Sequence, residues 1–442
     1  MPLFTNSSES NEASSSSQRT PSRAEVPIRI PYADNATSIG MTVSNDTLSE
    51  AKVGKFSTKA AWLKWYEALK NILPIYIAVH LAFFLLTYLS KLFIVGNFSH
   101  QTLRVVTLFN AWYHWDSGQY TYIATHGYDA AWRTAFFPLF PLLEGIPSLL
   151  IKNLDPFITG LIVSNLANLV ILIVLYRLVQ EDFDRNQAYR TVLYLSVFPT
   201  AFFFAAAYTE SVFLCLILLS FYYMRQSHWW LAGLFGFLAS LTRSAGIILL
   251  LPFLYEYLRQ HRFQLKAIRF DIMSSACIPA GLGLFALYCY FRFHDALAFS
   301  HAQATWKRGL QPPWTGFINA FTVMAKGNIL RFDAIHSVID LSAGLLMLLL
   351  VILCFVGPWK FSRDQWTYSF YAASVYLFIT LFPATGTFPL QSLSRLVLEI
   401  FPAFIVLAAM GRRQQFNLYY LTLSTAMLSF MLLQFLTGHW IV

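Results

Sequence analysis

Two carboxylates and several cations sit where a strongly apolar chain has least reason to keep them. Asp116 lies in His114-Trp-Asp-Ser-Gly-Gln-Tyr120, between tryptophan and tyrosine. Such neighbours partly desolvate an acid and raise its basicity, which suits a general base. On a helix, Trp112, Asp116, Tyr120 and Ile123 share one face. The plain alternative is a solvated loop acid. Glu210 stands in Ala207-Tyr-Thr-Glu-Ser-Val-Phe213. An acid in an apolar stretch is a functional-site candidate, although one at a helix start can simply offset the dipole. Arg243 interrupts another apolar stretch, where a charge at membrane depth costs roughly 2.5–3.5 kcal/mol. It needs a carboxylate or a phosphate, and a structural pair with Glu210 would also serve. Arg395 opens an apolar run and is either an anion ligand or a snorkelling cation. His301, Gln303, Trp306, Lys307 and Arg308 could line a sugar and phosphate site, or face solvent as a loop. Together these groups supply a base, a second acid and cations suited to an anionic lipid phosphate.

These residues must be positioned by membrane helices. Hydrophobic residues make up 57% of the 442 and charged ones only 12%, against about 25% charged in soluble domains. Repeated apolar runs of about 20 residues are each long enough to cross a bilayer. The fold class is therefore all-α, a polytopic helical membrane protein. The net charge of +9 falls between the runs, so orientation in the membrane explains it better than nucleic acid does. Cys215, Cys277, Cys289 and Cys354 lie in apolar runs without metal-ligand spacing, and neither a disulfide nor a metal is inferred. No cleavable signal peptide is visible.

Residues 1–51 read as a disordered polar cytoplasmic tail, whose sequons at Asn6, Asn35 and Asn45 then lie on the wrong side for glycosylation. Residues 52–71, with lysines among tryptophan, tyrosine and leucine, read as a basic amphipathic juxtamembrane helix. Residues 72–442 form the multi-pass domain. Nine full crossings are expected, near 72–95, 157–176, 190–207, 211–224, 271–291, 338–356, 366–382, 395–410 and 416–437. Counting 135–151, with its three prolines and a glutamate, as a crossing would put Arg177, Arg185 and Arg190 outside. It therefore reads as a short non-spanning helix at the outer face. Residues 229–257 have basic flanks at both ends and read as a hairpin of half-helices with Thr242-Arg-Ser-Ala-Gly at the tip. The loops 97–135, carrying Asp116, and 293–335 fall outside with Glu210.

The chain lacks a Walker loop, a GxGxxG fingerprint, HExxH and a soluble domain to hold a nucleotide sugar. A donor already in the membrane fits better. At His114-Trp-Asp116-Ser-Gly-Gln-Tyr120, Ile123-Ala124, Gly127-Tyr128 and Ala135-Phe-Phe-Pro-Leu-Phe-Pro141, the sequence resembles the PIG-V, or GPI mannosyltransferase 2, family of GT-C-fold enzymes. Tyr208-Thr-Glu-Ser211, Arg243-Ser-Ala-Gly246, Gln303 with Trp306, and Arg395 follow in the same order, so the resemblance spans roughly 72–440.

That resemblance implies an inverting transferase that takes mannose from a dolichyl- or polyprenyl-phosphate carrier at the lumenal or periplasmic face. Asp116 maps onto the expected base. Glu210 would position the acceptor or orient an arginine. Arg243, Arg395, Lys307 and Arg308 would steady the leaving phosphate, with His301, Gln303, Trp306 and Tyr120 around the substrate. No cofactor and no metal is required, because a phosphate monoester leaves. The implied partners are the lipid-phosphate sugar, a glycolipid or glycan acceptor, membrane lipid and, as in eukaryotic members, a small membrane subunit. The chain lacks long lumenal insertions, which points to a prokaryotic member in the plasma membrane; a eukaryotic one would lie in the endoplasmic reticulum. Another GT-C transferase, with a different sugar or a protein acceptor, stays open. So does a transporter or flippase, although outer-face acids and the lack of an internal repeat argue against transport.

Overall fold

The computed structural model describes residues 58–94, 104–152, 154–326 and 331–439. The expected tail over 1–51, the start of the 52–71 segment and parts of the loops 97–135 and 293–335 lie outside those residues. The described chain is helical, with no strand beyond one isolated bridge. In order come α1 (Thr58–Ile94), α2 (Val105–Asn110), α3 (Asp116–His126), α4 (Leu139–Leu150), α5 (Pro156–Asp182) and α6 (Arg185–Ser196). Then follow α7 (Thr209–Arg225), α8 (Trp229–Thr242), α9 (Leu250–Gln260), α10 (Cys277–Phe293), α11 (Ala298–His301) and α12 (Thr315–Lys326). The last five are α13 (Phe332–Leu353), α14 (Trp366–Thr380), α15 (Leu393–Leu396), α16 (Phe401–Met410) and α17 (Gln414–Leu436).

Five helical stretches are long and apolar enough to cross a membrane: Trp62–Leu92, Pro156–Asp182, Phe270–Phe293, Ala334–Leu353 and Gln414–Leu436. They coincide with five of the nine expected crossings. Of the other four, 211–224 and 366–382 fall on the shorter helices α7 and α14, and two are broken for local reasons. The 190–207 stretch ends as a regular helix at Ser196 and continues as a 3-10 turn over Ala201–Phe204. Pro199 lies in the gap, lacks an amide donor and biases Phe198 away from helix. The 395–410 stretch bends by 86° between Glu399 and Phe401, where Pro402 opens α16. Counted as one span, this bent pair would make six. Helices α7 and α14 have 17 and 15 residues. The segment read as a separate juxtamembrane helix over 52–71 is, where described, the first turns of α1, which runs on unbroken through Pro74.

Helix α5 is central, packed on α1, α3, α4, α6 and α7. Its start is well specified: the Asp155 side chain accepts from the Phe157 amide at 2.9 Å and proline stands in the first turn. Helix α7 packs on α5 and α8, and α8 on α10. At one end a saturated ion cluster ties α5, α7, α9 and α14 together. Glu256, fully buried, accepts from Arg259 at 2.6 and 2.9 Å, Thr367 at 2.6 Å and Gln260 at 2.7 Å. Arg225 bridges Asp182 at 2.6 Å and Glu256 at 3.4 Å. Arg225 closes α7, whereas Glu210 opens it, so this cluster lies at the opposite end of α7 from the candidate acid.

The expected break in 229–257 is present. Helix α8 ends at Thr242, Arg243 is extended, and a 3-10 turn over Ser244–Leu249 leads into α9. Gly246 lets this turn fold back onto α8: a Cβ there would stand 2.5 Å from the Ser240 amide nitrogen and 2.6 Å from the Ala239 carbonyl carbon. Both are backbone atoms and cannot swing aside. Gly246→Ala is expected to cost about 1–3 kcal/mol through overpacking. Gly283→Ala, where a Cβ meets nothing within 4 Å, should cost nothing. Thermal unfolding of the two variants in detergent, followed by tryptophan fluorescence, checks the contrast.

Candidate active site

The acid of the His114–Tyr120 block opens helix α3, and the backbone before it is strained. Trp115 has φ 46° and ψ −108°, a conformation that costs a non-glycine residue on the order of 1–3 kcal/mol. Packing holds it there. Its ring lies against those of His114 and Phe435, and the His114 carbonyl accepts from Tyr208 at 3.0 Å and Ser117 at 2.8 Å. Asp116 thus projects from the first turn of a pinned helix. Because α3 starts only at Asp116, Trp112 does not share its face; it is buried before the helix and donates to Thr87 at 3.2 Å. Tyr120, one turn after Asp116, is buried with its hydroxyl 3.4 Å from that of Thr209.

Arg395 reaches Asp116 from the far end of the sequence. Its Nη1 donates to Asp116 Oδ2 at 2.8 Å, and its Nε lies 3.1 Å from Glu210 Oε1. The turn carrying it is held from below: Asp340 of α13, buried, accepts from the Ser394 amide at 2.9 Å. The guanidinium also lies over the rings of Phe203 and Tyr208, 5.3 and 5.4 Å from their centroids. Arg243 enters from the tip after α8. Its Nη1 donates to Glu210 Oε1 at 3.1 Å and to Thr209 at 3.3 Å, and lies 3.3 Å from Glu399 Oε1. Glu210, 1% exposed, therefore stands between two arginines.

These groups line one cavity of about 450 Å³, within the size range of small-molecule sites. Asp116, Tyr120, Arg243, Gln303, Trp306, Arg308 and Arg395 all reach its wall, and Glu210 lies just behind, paired to both Arg243 and Arg395. The structure does not bring His301 and Lys307 there. The His301 ring is exposed and bonds to Asp295 at 2.8 Å. Lys307 is exposed and takes the left-handed conformation at φ 55°, which ends the 3-10 turn over Ala302–Trp306 and leaves Arg308 facing inward. Arg308 donates to the Gln391 carbonyl at 2.7 Å. Among the described residues no carboxylate pairs with it. Burial, with Arg395 and Arg243 beside it, pushes this guanidinium down to about 10. It remains charged at neutral pH.

Glu399 is a third cavity acid that the sequence reading passed over, as it passed over Asp340 beneath the Arg395 turn. Both sit inside runs read as crossings, and an acid at such depth is itself a signal. Three arginines (Arg243, Arg308, Arg395) thus face three carboxylates (Asp116, Glu210, Glu399), with the contacts concentrated on two of the arginines. No group of three or more histidine, cysteine or acidic side chains among the described residues could hold a metal.

Breaking a buried ion pair from one side leaves an uncompensated charge, at a cost of about 3–5 kcal/mol. Arg243→Met is therefore expected to lower the unfolding midpoint strongly. Adding Glu399→Gln to Arg243→Met should recover part of the loss, because Glu399 is the acid left without its arginine, whereas Glu210 keeps Arg395. Thermal unfolding of the single and double variants measures the coupling.

Residues 138–290 match the family described as dolichyl-phosphate-mannose-protein mannosyltransferase, a segment that includes Glu210 and Arg243. The GPI alpha-1,6-mannosyltransferase 2 of Cricetulus griseus is 26% identical over 198 residues, 40% of either chain. The GPI mannosyltransferase 2 of Drosophila pseudoobscura pseudoobscura is 32% identical over 114 residues, 23% of this chain and 24% of its own. The match thus spans about two fifths of the length of the first of these relatives. Among solved structures, ArnT from Cupriavidus metallidurans bound to undecaprenyl phosphate is similar with a TM-score of 0.45 at 12% identity, covering 75% of each chain. The Archaeoglobus fulgidus oligosaccharyltransferase in complex with zinc and sulfate gives 0.44 at 13% identity, over 83% of this chain and 53% of that one. The resemblance read from the motifs thus has a counterpart in these comparisons: residues 138–290 match the model of dolichyl-phosphate-mannose-protein mannosyltransferases, and the chain is similar in sequence to the GPI mannosyltransferases 2.

Proposed function

We propose that the chain is an inverting mannosyltransferase, taking mannose from a polyprenyl (dolichyl-type) phosphate and passing it to a glycolipid or glycan at the non-cytoplasmic membrane face. The observation that carries this reading is Arg308, a cation without a carboxylate partner among the described residues, in the wall of a cavity that also holds Asp116. A buried charge calls for its opposite. The phosphate of a lipid-linked sugar supplies it, and Arg395 keeps further N–H groups for the same anion beyond those turned to Asp116 and Glu210. The apolar wall of Phe378, Ile379, Phe382 and Leu396 suits the first carbons of a lipid chain.

In the reaction, an acceptor hydroxyl gives its proton to Asp116. Its oxygen attacks the anomeric carbon from the side opposite the phosphate. The bond from that carbon to the phosphate oxygen breaks, and the electron pair leaves with polyprenyl phosphate. Charge then gathers on the departing oxygen, where Arg308 and Arg395 stabilise it. Glu210 keeps Arg243 and Arg395 in place, and Tyr120, Gln303 and Trp306 surround the sugar. Transport is the weaker reading: the charged cavity lies at one end of α7, away from Arg225, whereas transporter sites cluster near the midplane.

The test uses protein in nanodiscs with radiolabelled polyprenyl-phosphate mannose and a membrane lipid extract as acceptor source. Asp116→Asn should lower label transfer by at least ~10²-fold while donor binding persists. Arg308→Ala should raise the donor KM and weaken binding of polyprenyl phosphate alone, with a correspondingly shallower dependence on salt. Equal turnover by wild type and Asp116→Asn would remove that acid from the role of base, and donor affinity unchanged in Arg308→Ala would remove the phosphate from that arginine.

A further inference from the structure

Glu144 is an acid without a counter-charge. It lies in the middle of α4, fully buried, and both carboxyl oxygens lack a hydrogen-bond partner. No cation pairs with it among the described residues. By contrast, every acid of the cavity meets an arginine, and Glu256 at the opposite end meets two. An isolated buried carboxylate is too costly to keep charged, so such a group takes up its proton. Burial pushes Glu144 up to about 9, and Asp155 acts in the same direction.

The space around Glu144 is made for it. Gly160 on α5 faces the carboxyl so closely that any Cβ there would overlap Oε1. The Thr121 side chain of α3 faces it from the other side, and the Thr121 hydroxyl is also buried without a partner. The titratable groups nearby are Tyr113, just before α3, and Asp155, the N-cap of α5. Neither supplies positive charge. Three helices therefore meet at one neutral acid, and one of them is the helix whose first residue is Asp116.

We propose that Glu144 is a positioning residue: as a neutral carboxylic acid it bonds to Thr121, directly or through one buried water, and clamps α3 onto α4 and α5 so that Asp116 meets Arg395. The proton stays on Glu144 throughout. The clamp concerns the placing of α3 and holds whatever sugar the cavity takes; only the name of Asp116 as base rests on the proposed function.

The sign of its pH dependence is fixed. The acid holds its proton in the closed structure and loses it, at an ordinary carboxylate value, when α3 opens to water. The opened form binds fewer protons, so closure is most stable below the ordinary carboxylate range and is lost as pH rises toward about 9. Hydrogen exchange of peptides covering α3 reads this without any assay of activity. With the intrinsic exchange chemistry divided out, wild-type protection should fall by up to ~10-fold per pH unit between about pH 5.5 and about 8.5. Glu144→Gln keeps the shape without the ionisable proton and should hold protection flat across that range. At about pH 5.5, where wild-type Glu144 holds its proton, Glu144→Ala and Thr121→Val should exchange at least ~10-fold faster in α3 than wild type, with α17 unchanged as the internal reference. A wild-type profile as flat as that of Glu144→Gln would overturn the proposal, as would Glu144→Gln exchanging as fast as Glu144→Ala. Absence of transfer by wild type, with the α3 exchange profiles as expected, would instead count against the proposed function alone.

Discussion

The contact on which the site depends is the one between Arg395 and Asp116, joining residues 279 positions apart in sequence. A guanidinium in a largely apolar interior must be met by carboxylate, and here it is met by two, Asp116 and Glu210. Much of the surrounding architecture serves that meeting. Asp340 holds the turn that presents Arg395, and Tyr208 and Ser117 hold the backbone before Asp116. The 86° bend between Glu399 and Phe401 leaves Glu399 beside Arg243. The site is assembled from turns and helix ends, because these are the places where a membrane helix can release a polar side chain without exposing it to lipid.

The two ends of the bundle solve the problem of buried charge differently. Around Glu256 every acceptor is saturated and the ions brace four helices. Around Arg308 no carboxylate among the described residues closes the network, and its bond goes to the Gln391 carbonyl. Complete networks at one end and an incomplete one at the other is the distribution expected of a rigid scaffold that carries a ligand site. The isolated bridge between Arg308 and Ala384, with the Thr385 amide donating to the Lys307 carbonyl at 2.9 Å, joins the loop of Arg308 to the segment leading toward Arg395.

Much of this was legible in the sequence, and the misses have physical causes. Asp116 and Glu210 stood out because acids are rare in such company, and Arg243 because a cation in an apolar run needs a partner. The break at Arg243 followed from basic flanks on both sides of one stretch. Glu399 and Asp340 escaped because the runs around them were read as plain crossings. The loop 301–308 could not be resolved into inward and outward residues: that division hangs on one left-handed backbone at Lys307, which a lysine does not announce. The continuous crossing expected over 190–207 failed at Pro199 for a reason the sequence did print.

Helix α7 has 17 residues, and at ~1.5 Å each it rises only about 25 Å, against ~30 Å for a hydrocarbon core. If Arg225 were set at one polar boundary, an untilted α7 would bring Glu210 to about 5 Å short of the opposite one. Under the proposed function, that placing would sink the floor of the cavity beneath the headgroups, where bulk water is scarce. A glycosyl group held there would have two competitors for its anomeric carbon, an acceptor hydroxyl and a water molecule, and the depth of the floor handicaps the second. For the transfer proposed above, a helix short by a turn or so would favour the acceptor hydroxyl over hydrolysis without a single contact to the acceptor.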